Sequence, residues 1–117
     1  MVSVLPVGWM SESDLLRAAT AVACGAGHPA AAALLRAADL RVVRVVDARN
    51  CERAPSGGAV GVVAGSRILL GDPDLLLEHG VDLTGVPAMP VHDGMFFVAS
   101  DGRFAGLVVL DEAAFDD

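Results

Sequence analysis

Two short segments of this sequence contain residues whose types and spacing could bind a ligand. In the first, GAGHPAAA (residues 25–32), two glycines interrupt an alanine-rich run and a His-Pro pair restarts it. Proline suits the first turn of a helix, because its missing N–H has no helical partner there. The glycines and Pro29 therefore mark a junction between two helices, but they do not require the imidazole of His28.

On its own, His28 has two interpretations. A histidine beside a helix-starting proline can cap the helix or pack at the junction, which is the commoner role. At a position flanked by glycine, the ring can instead stack on a flat base such as adenine, as aromatic and histidine side chains do with nucleobases. The choice between these roles depends on the second segment.

That second segment is PSGGAVGVVAG (residues 55–65). Gly57, Gly58 and Gly61 would let the backbone approach a phosphate group closely. The segment leads into a strand rather than a helix, and GKS and GKT are absent, so a Rossmann or Walker mechanism is excluded. The alternative is a set of glycines required by a β-bulge or hairpin. Base stacking by His28 and phosphate approach at the glycines together form the hypothesis of a nucleotide site.

A metal site and a nucleophilic enzyme have weaker support. Cys24 and His28 are four residues apart, and His79, His92 and Cys51 would complete a soft metal site only if the fold gathered them. Glycines break the helix that would align the first pair, so we expect Cys24 to be a buried small hydrophobe. No residue stands in a recognisable nucleophile motif.

The composition indicates one domain of residues 1–117 in a reducing, cytosolic setting. Hydrophobic residues make up 54% of the chain, enough for a core, and the two cysteines are too few for a disulfide scaffold. The net charge of −7, from 15 acidic residues against 8 arginines, argues against nucleic-acid binding. No apolar run reaches the roughly 18 residues of a membrane helix, so we expect no direct membrane insertion of this segment.

Periodicity and turn residues predict the order strand, two helices, three strands, helix and two strands. The first half contains a strand at 2–5, a helix at 12–24 with Ser11 as N-cap, a second helix with Pro29 in its first turn, and a strand in RVVRVVD (41–47). After a loop from Asn50, a hairpin joins AVGVVA (59–64) to RILLG (67–71) around Gly65-Ser66. The remaining elements are a helix from Asp72-Pro73 to Gly80, a short strand near Met89, and a hairpin at 95–110 around Asp101-Gly102. Adjacent hairpins favour an antiparallel sheet. We therefore predict an α+β fold, with an antiparallel sheet of about six strands flanked by helices.

The segments HPAAAALLRAA, PSGGAVGVVAGSRILLGD and DGMFFVASDGRFAGLVVLDE together resemble the nucleotide-binding domain, or N-domain, of heavy-metal-transporting P-type ATPases. The resemblance covers nearly the whole chain. It implies an ATP-binding module excised from a larger membrane transporter, with His28 and Pro29 at the adenine and the backbone of Gly58 and Gly61 near the nucleotide.

Two positions depart from the family's pattern. Ala23 stands where the family has a glutamate five residues before the histidine, and Ser56 replaces the first glycine of Gly-x-Gly-x-x-Gly. Losing a charged hydrogen-bond partner costs roughly 1.5–3 kcal/mol, so we expect weak or less base-selective ATP binding. With Gly57, these two positions complete the predicted site. Strand alternation suggests apolar walls at Val60, Val62 and Ile68.

The resemblance also implies ATP with Mg²⁺ as ligand, and the phosphorylation and actuator domains of the same transporter as partners. The implied location is the cytoplasmic face of a membrane, with this segment soluble. The family's Asp-Lys-Thr-Gly-Thr motif is absent, so the chain alone should not transfer phosphate. Two alternatives stay open: an interaction module with a degenerate nucleotide pocket, and a small metal-binding protein using Cys24, His28 and Cys51.

Overall fold

The described residues form three helices and one six-stranded sheet. The computed structural model describes residues 2–7, 9–54, 57–84, 86 and 94–110. In chain order the elements are β1 (Val2–Pro6), α1 (Glu12–Ala26), α2 (Ala31–Leu40), β2 (Arg49–Arg53), β3 (Ala59–Val63), β4 (Ser66–Gly71), α3 (Pro73–Glu78), β5 (Met95–Ser100) and β6 (Arg103–Leu110). The sheet order is β1-β6-β5-β4-β3-β2, and every neighbouring pair is antiparallel. The predicted α+β class and element order are confirmed.

Tight turns close both predicted hairpins. Ala64-Gly65 has φ values of 51° and 85°, and Asp101-Gly102 has 51° and 82°. Two successive positive φ values are what a type I′ turn requires, and this turn matches the twist of the flanking strands. The first turn lies one residue earlier than predicted. Asp101 also joins the hairpins, because its N–H donates to the Arg67 carbonyl at 2.8 Å and its carboxylate accepts from the Arg67 N–H at 2.9 Å.

The ends of α1 determine where the next loop lies. Ser11 Oγ accepts from the N–H of Asp14 at 3.1 Å, which confirms the predicted N-cap. The helix runs two residues beyond the predicted end, and Gly27 follows it with a φ of 66°. The N–H of His28 then donates back to the Ala23 carbonyl at 2.9 Å, the closing bond of a Schellman motif. This bond holds His28 directly beneath the end of α1.

Helices cover both faces of the sheet. On one face, α1 and α2 bury a large cluster centred on Leu15, Leu16, Val22, Leu34, Ile68, Leu70, Val98 and Val108. On the other, α3 covers a smaller cluster that includes Leu69, Leu75, Leu76 and Phe97. The alanines of α1 and α2 keep both helices thin, so their backbones lie close to each other and to the sheet. In the described part of the chain, no helix combines the length and apolarity needed to cross a membrane.

The predicted strand at residues 41–47 is wrong, because its backbone groups are used elsewhere. Val42 has a φ of 56°, and the N–H of Val43 donates to the Ala38 carbonyl at 2.8 Å to close the end of α2. The Arg44 carbonyl accepts from Arg17 Nε at 2.9 Å. The strand is instead the polar segment β2, assigned from the sequence to a loop, which forms an exposed sheet edge. The predicted strand near Met89 lies outside the described residues.

Replacing Val42 with glycine should stabilise the protein. Val42 is 91% exposed and β-branched, yet it has the left-handed conformation that glycine usually supplies after a helix. Relief of this strain, set against the greater freedom of glycine in the unfolded chain, should raise the free energy of unfolding by about 0.5–1 kcal/mol. Urea unfolding followed by circular dichroism measures the change. Val45→Gly is the matched control and should destabilise, since Val45 lacks a positive φ; a loss of stability in both variants would contradict the strain.

Candidate functional site

The His28 ring connects the α1–α2 loop to the glycine segment before β3. Its Nδ1 accepts from the N–H of Ala30 at 3.0 Å, and its Nε2 lies 2.7 Å from the Gly57 carbonyl oxygen. A backbone N–H can only donate, so Nδ1 carries no proton and Nε2 donates to Gly57. Both nitrogens are therefore used, and they require one neutral tautomer of the ring.

Burial keeps this imidazole neutral. His28 is only 6% exposed, and its ring meets Phe96 of β5 edge-on, with centroids 5.3 Å apart and planes at 84°. Desolvation lowers the pKa of His28 below its ordinary value, the nearby charge of Arg53 lowers it further, and the hydrogen bond to Gly57 opposes both. Phe96 was not among the residues selected from the sequence, because only the sheet pairing shows that β5 runs beneath the loop.

The glycine segment turns tightly at the point where His28 reaches it. The N–H of Ala54 donates to the Gly58 carbonyl at 2.8 Å, and the N–H of Gly57 donates to the Ala54 carbonyl at 2.9 Å. Gly57 has a φ of 102°, and a Cβ there would meet nothing within 4 Å. The structure thus brings His28 and Gly57 together, as the sequence hypothesis requires. Ser56 lies outside the described residues.

Gly58 and Gly61 have packing reasons for lacking a side chain. A Cβ on Gly58 would collide with the Leu70 carbonyl oxygen and lie 2.7 Å from the side chain of Leu75. A Cβ on Gly61 would lie 2.7 Å from Cys51 Sγ. The space beside both glycines is therefore filled by the protein, which favours the hairpin interpretation at these two positions. Only Gly57, among these three, has open space.

Cys51 fills a gap between helix and sheet that the sequence did not reveal. Its sulfur occupies the space beside Gly25 of α1 as well as Gly61 of β3, and it lies 3.7 Å from the Arg49 carbonyl. The two glycines are 36 positions apart, so no local pattern pairs them. Partial desolvation raises the pKa of the Cys51 thiol and that of Cys24, which disfavours the thiolate forms that metals and nucleophilic chemistry need.

Three further sequence expectations need correction. Cys24 is exposed rather than buried. Pro29 lies two residues before α2 begins rather than in its first turn. Val60 packs in the cluster beneath α3, on the sheet face opposite Ala59 and Val63, so strand alternation also turns Val62 away from His28.

Two more site predictions concern Ala23 and a metal. Ala23 is fully buried, and its side chain belongs to the large core cluster. Within the described ranges, no three His, Cys, Asp or Glu side chains come together in a group that could hold a metal ion. Cys24, Cys51 and His28 are therefore not assembled as a ligand set.

Comparison with known proteins supports the resemblance drawn from the sequence. No protein-family model matches the chain. It is 29% identical over 115 residues to a copper-transporting P-type ATPase of Rhizobium leguminosarum bv. viciae, an alignment that covers 94% of this chain and 14% of that protein. It is 30% identical over 118 residues to a silver exporting P-type ATPase of Salmonella typhimurium, with 96% and 14% covered. The chain thus spans about one seventh of the length of these relatives.

A solved structure agrees with these relatives. The N-domain of HMA6, a copper-transporting P-type ATPase, has a TM-score of 0.75 and 25% identity, covering 93% of this chain and 95% of that one. The fold is therefore that of a P-type ATPase N-domain. Within that class, the sequence relatives and the solved structure are copper or silver transporters, and the resemblance to the N-domain of heavy-metal-transporting P-type ATPases is confirmed.

Protonation of His28 should make stability depend on pH. Because its pKa is lowered in the folded state, the unfolded chain takes up a proton near pH 6.5 that the native state refuses. The contribution of His28 is complete above pH 6.5 and is lost as the pH falls from there toward the native pKa. Urea unfolding between about pH 5 and 7.5 should show this slope. His28→Gln should flatten it; equal slopes in the wild type and in this variant would contradict the assignment.

Cys51 and Gly61 should be coupled energetically. Gly61→Ala should lower the free energy of unfolding by about 1–3 kcal/mol, since the added methyl group would press on Cys51 Sγ. In a Cys51→Ala background the sulfur is gone and the cost should shrink, which urea unfolding of the four proteins measures as a coupling energy. Gly57→Ala is the control, because its cost comes from φ alone and should be the same in both backgrounds. If Gly61→Ala lowers the free energy of unfolding equally with and without the Cys51 side chain, the packing explanation is refuted.

Proposed function

We propose that the chain is the ATP-binding domain of a heavy-metal-transporting P-type ATPase. His28 and Pro29 would lie at the adenine, and the backbone around Gly57 and Gly58 would lie near the rest of the nucleotide. The domain would present the γ-phosphate to a phosphorylation domain elsewhere in the same polypeptide, so its contribution is positioning rather than chemistry. Mg²⁺ would arrive with the nucleotide.

The observation that carries this proposal is the 2.7 Å contact between His28 Nε2 and the Gly57 carbonyl. These residues are 29 positions apart, and each belongs to one of the two segments that the nucleotide hypothesis joins. Chance does not readily place both motifs in one contact of a 117-residue fold. Of Gly57, Gly58 and Gly61, only Gly57 has open space beside it, where a ligand could approach the backbone.

The folded site fits a nucleotide only after a local change. His28 is 6% exposed and both of its ring nitrogens are hydrogen-bonded, so little of the ring surface is free for a base. Stacking requires the Gly57 carbonyl to move or the ring to rotate, and either change breaks the hydrogen bond between them. The free energy of that opening subtracts from the binding free energy, which adds to the weak affinity expected from the absence of a carboxylate at Ala23.

A second candidate function is an interaction module that keeps the fold without binding nucleotide. The specific observation in its favour is Ala23, which is fully buried in the core cluster at the position where the family has a glutamate. Together with the two occupied nitrogens of His28, this arrangement stabilises the site in an unliganded state. Nucleotide titration separates the two candidates.

The test is a titration of ¹⁵N-labelled protein with Mg-ATP up to millimolar concentration. Amide resonances of residues 28–31 and 57–61 should shift in a saturable manner in the wild type. His28→Ala should weaken the binding by about tenfold or more, since loss of stacking on a base costs about 1–3 kcal/mol. His79→Ala is the matched control, because it removes an exposed histidine next to α3 and should bind as the wild type does.

Two results would overturn the ATP proposal. No saturable shift at millimolar Mg-ATP in a folded wild type would favour the interaction module. Unchanged affinity in a His28→Ala variant with native circular dichroism would remove His28 from the site.

A further inference from the structure

A cavity lined by arginines lies beside the first half of α1, whereas the candidate nucleotide site lies at the other end of this helix. The cavity has a volume of about 960 Å³, and it opens between the first half of α1, residues 44–47, the start of β2 and the end of β3. Three arginines line it, Arg17, Arg44 and Arg49. Of the described residues that line the cavity, Asp47 alone is acidic.

One of these arginines is held in position. Arg17 Nε donates to the Arg44 carbonyl at 2.9 Å, and its Nη1 donates to Asp14 Oδ1 at 2.7 Å. These bonds fix both the guanidinium and the backbone segment that carries Arg44. The Arg17 side chain has thus already lost conformational entropy before any ligand arrives, which favours binding.

The other two guanidinium groups have no partner among the described residues. Neither Arg44 nor Arg49 forms an ion pair or a side-chain hydrogen bond there, although the chain as a whole carries 15 acidic residues. Three of the eight arginines of an acidic protein therefore line one cavity, and Asp47 is the only acidic residue among the described lining residues. This local excess of positive charge at a concave surface attracts anions.

The walls strengthen this preference. Val46, Val62 and Val63 supply apolar surface beside the arginines. Apolar walls lower the local dielectric constant and so increase the attraction between guanidinium and anion. The volume is within the range of small-molecule sites.

We propose that this cavity binds a small polyanion that carries phosphate groups. The planar guanidinium group matches phosphate oxygens with two parallel hydrogen bonds, and three such groups suit a ligand with several negative charges better than a single carboxylate. The cavity and His28 are at opposite ends of β3: Gly57 precedes the strand, and about 13 Å separate Ala59 from Val63 at the usual strand rise. The phosphate groups can belong to a free polyphosphate or to the tail of a nucleotide.

Sodium triphosphate, adenosine and Mg-ATP are the probes, each titrated into ¹⁵N-labelled protein. Triphosphate should shift the amides of residues 44–49 and 62–65 in a saturable manner, in the wild type and in His28→Ala alike. Adenosine should leave these amides unchanged. If Mg-ATP moves them only in proteins that keep His28, the source is a nucleotide tail; if it moves them without His28, the cavity takes phosphate groups independently.

The double variant Arg44→Gln/Arg49→Gln should bind triphosphate at least about tenfold more weakly, because the loss of even one charge-assisted contact reduces affinity by about that factor. The control Arg36→Gln/Arg103→Gln makes the same change in net charge at arginines outside the cavity and should bind normally. The proposal is overturned if neither triphosphate nor Mg-ATP shifts the cavity amides saturably, or if both double variants lose affinity equally. Failure here leaves the His28 titration unaffected, so this cavity and the ATP site are tested separately.

Discussion

The candidate site depends on the hydrogen bond between the His28 imidazole and the Gly57 carbonyl. It forms only because three separate structural features agree: a left-handed residue after α1, a tight turn before β3, and a phenylalanine beneath the ring on β5. A buried imidazole that lost its carbonyl partner would leave its Nε2–H unsatisfied, at a cost of about 1–3 kcal/mol. The bond therefore stabilises the fold in the absence of ligand and holds the predicted base site shut.

A site closed by its own hydrogen bond has consequences for selectivity. A ligand that stacks on the His28 ring must compensate for the lost hydrogen bond to the Gly57 carbonyl. We therefore expect the site to prefer a group that stacks on the ring and also offers an acceptor to Nε2. The buried alanine at position 23 removes one source of such contacts. The weak binding that we predict and the stability of the unliganded state would then have the same structural origin.

Much of the fold follows from the sequence because its signals are local. Asp101-Gly102 predicts a tight turn from the conformations that these two residues tolerate, and Ser11 and Asp72 predict helix starts from their side-chain acceptors. The strand at 41–47 failed because β-branched composition says nothing about tertiary partners. In that segment Val42 has a left-handed conformation and the Arg44 carbonyl accepts a hydrogen bond from Arg17, so neither residue pairs in the sheet. The polar strand β2 forms the sheet edge instead.

The site was predictable only in part for the same reason. The His-Pro pair and Gly57 were recognisable because a histidine suggests base stacking and a glycine suggests close approach of a ligand to the backbone. The contact between His28 and Gly57 places these two residues together. Gly58 and Gly61 gave the same local signal, but tertiary packing explains both of them. Phe96 and Cys51 gave none, since their importance depends on strand pairing and on which atoms face each other across the helix–sheet interface.

The sulfur of Cys51 also makes the contact between α1 and the sheet sensitive to chemical modification. It is wedged between Gly25 of α1 and Gly61 of β3, whereas Cys24 lies exposed one residue from Gly25. An adduct on Cys51, which is only partly buried, would need space that these two glycines occupy, whereas an adduct on Cys24 would extend into solvent. Alkylation of Cys51 would therefore weaken the packing of α1 against β3 beside the His28 loop, and alkylation of Cys24 would not.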